Sequence, residues 1–192
     1  MVLSHRFSRA LVKAAEIHRD QRRKGTEAPY VAHLLAVCAL VLQDSGDEDE
    51  AIAALLHDAA EDQGGEARLA EIEFEFGIIV MEIVAECSDT LEEPKPPWRE
   101  RKEKYLAELP KVPIPALRVS VSDKLDNARA IVLDYRRLGD KLWERFNPEA
   151  DLLWYYRALV ATYRGIDRFE SPLIDELDRV VSELERLAGM EM

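Results

Sequence analysis

Apolar residues recur along this chain at the three- and four-residue spacing of amphipathic helices, and no stretch alternates with period two between turn signals. Phe7, Leu11, Val12, Ala15 and Ile17 keep the helical spacing over about residues 4–24, where Gly25 stops it. After a loop with Pro29, residues 31–42 are almost wholly apolar, as in a helix buried on every side. Ser45-Gly46 breaks the pattern, and Asp47 with Glu50 at the third position then gives a capping-box spacing. The helix that opens there is expected to run through His57 and Asp58 and to end before Gly64-Gly65. Two more follow, near 66–76 and 78–87, parted by Gly77.

The pattern changes over residues 88–97, where Pro94, Pro96 and Pro97 exclude a helix and Asp89, Glu92 and Glu93 add charge. Trp98-Arg99-Glu100-Arg101-Lys102 opens a basic helix to about residue 109, ended by Pro110, Pro113 and Pro115. A helix is expected from about 116 to 129, then another helical stretch to Gly139, and two last helices near 149–164 and 171–187. The sequence therefore predicts an all-α protein of about eight to ten helices, read as one domain over residues 1–192 without internal repeats.

Composition narrows the function. A net charge of −12 argues against a general nucleic-acid binder, since such proteins neutralise phosphates with Lys and Arg. No apolar run approaches the length that spans a bilayer, and Cys38 and Cys87, each in an apolar helical pattern, read as reduced core residues of a cytoplasmic protein. The densest chemistry lies in His57-Asp58-Ala59-Ala60-Glu61-Asp62. On one helix Glu61 would follow His57 by a turn, and Asp62 would follow Asp58. Burying an imidazole and three carboxylates unpaired is costly, and a metal ion would be the missing partner. His33 at a helix start and Asp123 in Ser122-Asp123-Lys124-Leu125-Asp126-Asn127 are unremarkable alone, as capping or packing residues. Together with His57 and Asp58 they form a mixed nitrogen and oxygen set suited to Mn²⁺, Fe²⁺ or Zn²⁺.

The order His, His-Asp, Asp resembles the HD-domain metal-dependent phosphohydrolases, an all-α superfamily. The blocks His18-Arg19-Asp20-Gln21-Arg22-Arg23-Lys24, Pro29-Tyr30-Val31-Ala32-His33, Leu55-Leu56-His57-Asp58-Ala59-Ala60-Glu61-Asp62 and Asp123-Lys124-Leu125-Asp126-Asn127 are similar to its guanosine-polyphosphate (ppGpp) 3′-pyrophosphohydrolase branch. The likeness covers roughly residues 6 to 165, leaving a C-terminal helix near 171–187. It implies an HD-type helical bundle with one Mn²⁺ held by His33, His57, Asp58 and Asp123. It also implies Glu61 and Asp62 as the catalytic pair that orients water and manages its proton, and Arg23, Lys24 and Asn127 as substrate contacts. The implied reaction releases pyrophosphate from ppGpp or pppGpp and leaves GDP or GTP.

Other readings of the same residues stay open. An HD phosphohydrolase acting on a nucleoside monophosphate or the 2′-phosphate of NADPH would release orthophosphate instead, and a metal- or nucleotide-binding module would not turn over. Arg19, Arg22, Arg23 and Lys24 read either as a focus for a polyphosphate or as a solvated helix end. Arg99, Arg101 and Lys102 read as an exposed helix face or a lid over phosphates, and Trp154-Tyr155-Tyr156 as core or as a stacking face. Leu34, Gln63, Ser122 and Asp126 depart from the family's usual residues, and Asp126 sets a negative charge near an expected polyanion. His5 and His18 have no partner visible in sequence, and no oligomeric state is assigned.

Overall fold

Local signals set the helix ends in the computed structural model, which describes residues 2–88, 90, 94–147 and 150–189. Ser4 caps α1 (His5–Ile17) by accepting from the Arg6 N–H. α2 (Val31–Gln43) follows, and Asp47 and Glu50 form both bonds of the capping box at the start of α3 (Glu48–Leu56). α4 (Ala59–Gln63), α5 (Gly65–Phe76) and α6 (Ile78–Cys87) come next, with Gly77 at φ +91° in the turn that a side chain would strain. α7 (Trp98–Glu108) leads through a 3-10 turn to α8 (Ile114–Leu138). The chain closes with α9 (Leu152–Arg164), capped by Asp151, and α10 (Pro172–Leu187), capped by Ser171 with Pro172 at the first helical position. Among the described residues these ten helices have no β-strand beside them, only a single bridge between Arg22 and Pro29.

α8 is the axis. It packs against α2, α3, α6, α9 and α10, while α1 and α2 lie on α3. Leu34, Ile52, Leu55, Leu117, Leu125, Leu159 and Leu177 are fully buried between them, in line with the almost wholly apolar run of α2. Tyr155 and Tyr156 are core residues at 5% exposure, and no described helix is long and apolar enough to cross a membrane.

Three expectations need correction. α1 stops at Ile17 rather than near residue 24, because the run from Arg19 to Lys24 offers no apolar side chain to bury. The chain instead folds back, with Arg23 N–H donating to the Ala28 carbonyl at 2.9 Å and Tyr30 N–H to the Gln21 carbonyl at 3.0 Å. The basic cluster thus lies in a loop and not at a helix end. Second, the helix carrying His57-Asp58 is broken there. His57 Nδ1 donates at 2.8 Å to the Ala54 carbonyl, the acceptor that the Asp58 amide would use in a continuous helix, and Asp58 sits at φ −92°, ψ −3°. Third, the stretches expected near 116–129 and up to Gly139 are one helix of 25 residues, α8. Of the proline-rich segment, Asp89, Glu92 and Glu93 lie outside the described residues, as does Glu149 at the expected start of the penultimate helix.

Candidate metal centre and adjoining cavity

The break at His57-Asp58 turns both side chains toward α2 and α8. His33, in the first turn of α2, and His57 are each 2% exposed, with ring centroids 5.2 Å apart. Ligand atoms of His33, His57 and Asp58 all lie within 4.8 Å of one another. From α8, Asp123 Oδ1 comes to 3.2 Å from His33 Nε2 and 3.6 Å from His57 Nε2. Asp58 Oδ2 lies 3.5 Å from His33 Nε2 and 3.0 Å from His57 Nε2. Neither Nε2 atom makes a hydrogen bond, although both are buried. Buried polar atoms are nearly always paired, so two lone nitrogens facing two carboxylates mark a place for a cation.

The charges agree. Burial opposes protonation of His33, yet the Asp123, Asp126 and Asp58 carboxylates outweigh it and raise its pKa to about 9. His57 is raised in the same way against its own burial, chiefly by Asp58 and Asp123. Burial opposes ionisation of Asp58 and Asp123, but the imidazoles, and Lys124 beside Asp123, hold both well below the usual carboxylate range. The cluster is short of positive charge, and a divalent cation would supply it in place of protons on the imidazoles. The residues fit a metal ion with nitrogen and oxygen donors.

Each candidate ligand has a further hydrogen-bond partner. Tyr30 Oη donates to Asp58 Oδ2 at 2.6 Å, and Lys124 Nζ lies 2.6 Å from Asp123 Oδ2. Asn127 Nδ2 donates to Asp123 Oδ1. His33 Nδ1 lies 2.7 Å from Asp126 Oδ2. Beside them on α4, the Asp62 amide bonds the Asp58 carbonyl at 3.0 Å, so helical spacing survives past the break. Glu61 Oε1 pairs with Lys95 at 2.9 Å, and Asp62 Oδ2 accepts from Gln21 Nε2 at 2.7 Å.

A cavity of about 470 Å³ adjoins the cluster, lined among others by Arg23, Lys24, Tyr30, Asn127, Phe146 and Tyr156. The four candidate ligands do not line it; Tyr30 and Asn127, which hold Asp58 and Asp123, form the wall between. Arg23 Nη1 donates to Asn127 Oδ1 at 2.9 Å, and Lys24 Nζ lies 5.2 Å from the Phe146 ring centre.

A sequence model of the HD domain matches residues 10–146, which is most of the chain. The chain belongs to the HD-domain family. Hydrolases of this family are metal-dependent, and the cluster above is its possible His/Asp metal site. The HD-domain chain is 34% identical over 170 residues to the guanosine-3′,5′-bis(diphosphate) 3′-pyrophosphohydrolase MESH1 of Xenopus tropicalis, covering 87% of this chain and 88% of that one. It is 36% identical over 179 residues to MESH1 of Drosophila melanogaster, covering 92% and 94%. Its fold superimposes with a TM-score of 0.78 and 27% identity, over 100% of this chain and 99% of the other, on a metazoan ortholog of SpoT described as hydrolysing ppGpp with a role in starvation responses.

Within this HD-domain chain the structure brings His33, His57, Asp58 and Asp123 together, places Glu61 and Asp62 on α4 beside them, and sets Arg23, Lys24 and Asn127 around the cavity. Sequence reasoning missed Tyr30, Gln21 and Lys95, and it gave His18 no place. His18 is 2% exposed, stacks on Tyr30 at 5.1 Å, and its Nδ1 lies 2.6 Å from Gln21 Oε1. The block His18 to Lys24 carried the signal, since a polar His three residues from Gln needs a partner if buried. Asp126 requires a correction: its carboxylate is engaged by His33 and by Arg23, 3.6 Å away, and is not a bare charge opposing a polyanion. The second basic cluster packs on aromatic rings, with the Arg99 guanidinium 3.3 Å from the Trp154 ring centre and Lys102 Nζ 5.0 Å from that of Tyr155. Burial pushes the Lys102 ammonium down to about 7, with Lys124 adding to the shift.

Proposed function

We propose that residues 1–192 form one phosphohydrolase unit, its motif-bearing core over about 6–165, that removes the 3′-diphosphate of ppGpp and pppGpp to give GDP or GTP and pyrophosphate. The observation that carries the reading is the pair of buried, unpartnered imidazole nitrogens facing Asp58 and Asp123 beside a basic cavity of about 470 Å³. Two relatives named as ppGpp 3′-pyrophosphohydrolases, matched over most of both chains, supply the substrate.

In this reading His33, His57, Asp58 and Asp123 hold one divalent ion, Mn²⁺ by preference, with Fe²⁺ or Zn²⁺ compatible with the same donors. When bound, the ion lowers the pKa of a water toward neutrality and polarises a phosphoryl oxygen. Glu61 and Asp62 orient the water and take its proton. Attack on the phosphorus attached to O3′ breaks the P–O3′ bond: the water oxygen stays with the departing pyrophosphate, and the proton taken by the Glu61–Asp62 pair passes to O3′, which becomes the ribose 3′-hydroxyl. Arg23, Lys24 and Asn127 contact the nucleotide from the cavity wall. Tyr30 keeps its proton, since burial and the Asp58 charge raise its pKa, and so it holds Asp58 as a donor. The reading places the enzyme in the cytoplasm, where the unpaired Cys38 and Cys87 stay reduced.

The test is turnover of ppGpp by purified protein with Mn²⁺, with and without chelator, products resolved by chromatography. Chelator-sensitive release of pyrophosphate and GDP is the expected result. Orthophosphate as product, or metal-loaded protein that leaves ppGpp intact, would overturn the substrate assignment.

A further inference from the structure

The two candidate ligand histidines are held from behind by different groups. His57 donates Nδ1–H to a neutral backbone carbonyl, that of Ala54, at 2.8 Å. His33 Nδ1 faces a carboxylate, Asp126 Oδ2, at 2.7 Å, and the His33 side chain is fully enclosed. Asp126 reaches it because Asp123, Asp126 and Asn127 stand at i, i+3 and i+4 on α8 and share one face of that helix. The same Asp126 oxygen lies 3.6 Å from Arg23 Nη2, and Arg23 Nη1 donates to Asn127 Oδ1 at 2.9 Å. Asn127 in turn donates to Asp123, so His33, Asp126, Arg23, Asn127 and Asp123 close a ring between the metal cluster and the cavity.

We infer that Asp126 is a positioning residue with two partners: it fixes the His33 imidazole with its Nε2 lone pair toward the metal, and it sets the Arg23 guanidinium at the cavity wall. The inference rests on the reading of the cluster as a metal site. A carboxylate that accepts Nδ1–H leaves one tautomer of His33, stops the ring from turning, and makes Nε2 a stronger donor. The Ala54 carbonyl fixes the His57 tautomer with only a dipole, so the two imidazoles are unequal ligands. Arg23 offsets the carboxylate charge that would otherwise repel a polyphosphate in the cavity. One side chain thereby serves both halves of the site.

The experiment is a Mn²⁺ titration of the full chain against a chelating dye, for the wild type, Asp126→Ala, Asp126→Asn and Arg23→Gln, alongside KM and kcat for ppGpp. Asp126→Ala is expected to lose about 10- to 100-fold in Mn²⁺ affinity. Asp126→Asn retains an acceptor for Nδ1–H without the charge and should fall between it and the wild type. Arg23→Gln should raise KM and leave Mn²⁺ affinity unchanged. Circular dichroism identifies a variant that does not fold, and Asp126→Asn then stands in for Asp126→Ala. Wild-type Mn²⁺ affinity in the folded Asp126 variants would overturn the inference while leaving the metal site intact. A wild-type chain that binds no Mn²⁺ would instead overturn the metal-site reading beneath it.

Discussion

Between α9 and α10 the Arg157 guanidinium donates Nε at 2.9 Å and Nη2 to Glu185, Nη1 to Asp178, and Nη2 again to Ser182 at 3.0 Å. Glu185 is 9% exposed and its charge is fully answered there. At the His33–His57 centre the buried groups are less satisfied, with both Nε2 atoms unpartnered. These two enclosures of charge differ: around Arg157 both carboxylates meet a guanidinium donor, and at the histidines the inner nitrogens are left open. The first arrangement holds two helices in register. The second has the donor set of the proposed metal site, and the contrast in hydrogen bonding adds to what the residue types say.

That contrast can be broken most sharply at Asp58. Asp58→Ala should abolish both metal binding and ppGpp turnover, read by metal analysis after dialysis and by product chromatography; a variant still holding one Mn²⁺ per chain would remove Asp58 from the ligand set. Glu61→Gln should retain the metal and lose about 10²- to 10⁴-fold in kcat, the usual worth of a positioned acid or base. Metal loss in that variant would move Glu61 into the ligand set. On the other side of the comparison, Arg157→Ala should cost about 1.5–3 kcal/mol of stability by chemical denaturation, because Glu185 and Asp178 lose charge-assisted bonds. Turnover of the folded variant should stay at the wild-type level, and a large fall in kcat would show that the two regions are coupled. The smallest effect is expected at Gln21, which orients Asp62: Gln21→Ala should lower kcat by up to about tenfold, the worth of one hydrogen bond, with KM unchanged. His18→Asn, whose amide nitrogen stands where Nδ1 does, should retain more of the rate than His18→Gln. Equal rates in those two variants would detach His18 from the Gln21–Asp62 arrangement.

Much of the fold was legible before any coordinates. The apolar run over α2, the capping box at Asp47 and Glu50, and Gly77 between α5 and α6 each act over a few residues, and each is found where expected. The loss of apolar positions after Ile17 was visible in the sequence, but Arg19 to Lys24 are acceptable in an exposed helix, and the fold-back that ends α1 depends on Tyr30 N–H bonding the Gln21 carbonyl. The break at His57 was hidden for a related reason: Ala54 to Asp62 has good helix formers, and the interruption comes from a side chain taking the Ala54 carbonyl. In the candidate site, the ligand types and their order along the chain could be read directly. The groups behind them could not. Asp126 and His33 lie 93 positions apart, and Gln21 and Asp62 lie 41 apart.

By itself the sequence determined the helical class, the punctuation of most helices, the acidic balance and the set His33, His57, Asp58 and Asp123 with Glu61 and Asp62 beside them. The helix signals depend on residue type and short spacing, which the chain carries locally, and the site set on residue types and their order along the chain. Tertiary structure decided which nitrogen of each imidazole faces inward, that the Asp126 carboxylate meets His33 and Arg23, and that His18 is buried against Tyr30. Those outcomes follow from the packing of α2, α3 and α8 on one another, and helix periodicity names the buried face without saying which distant residue will meet it.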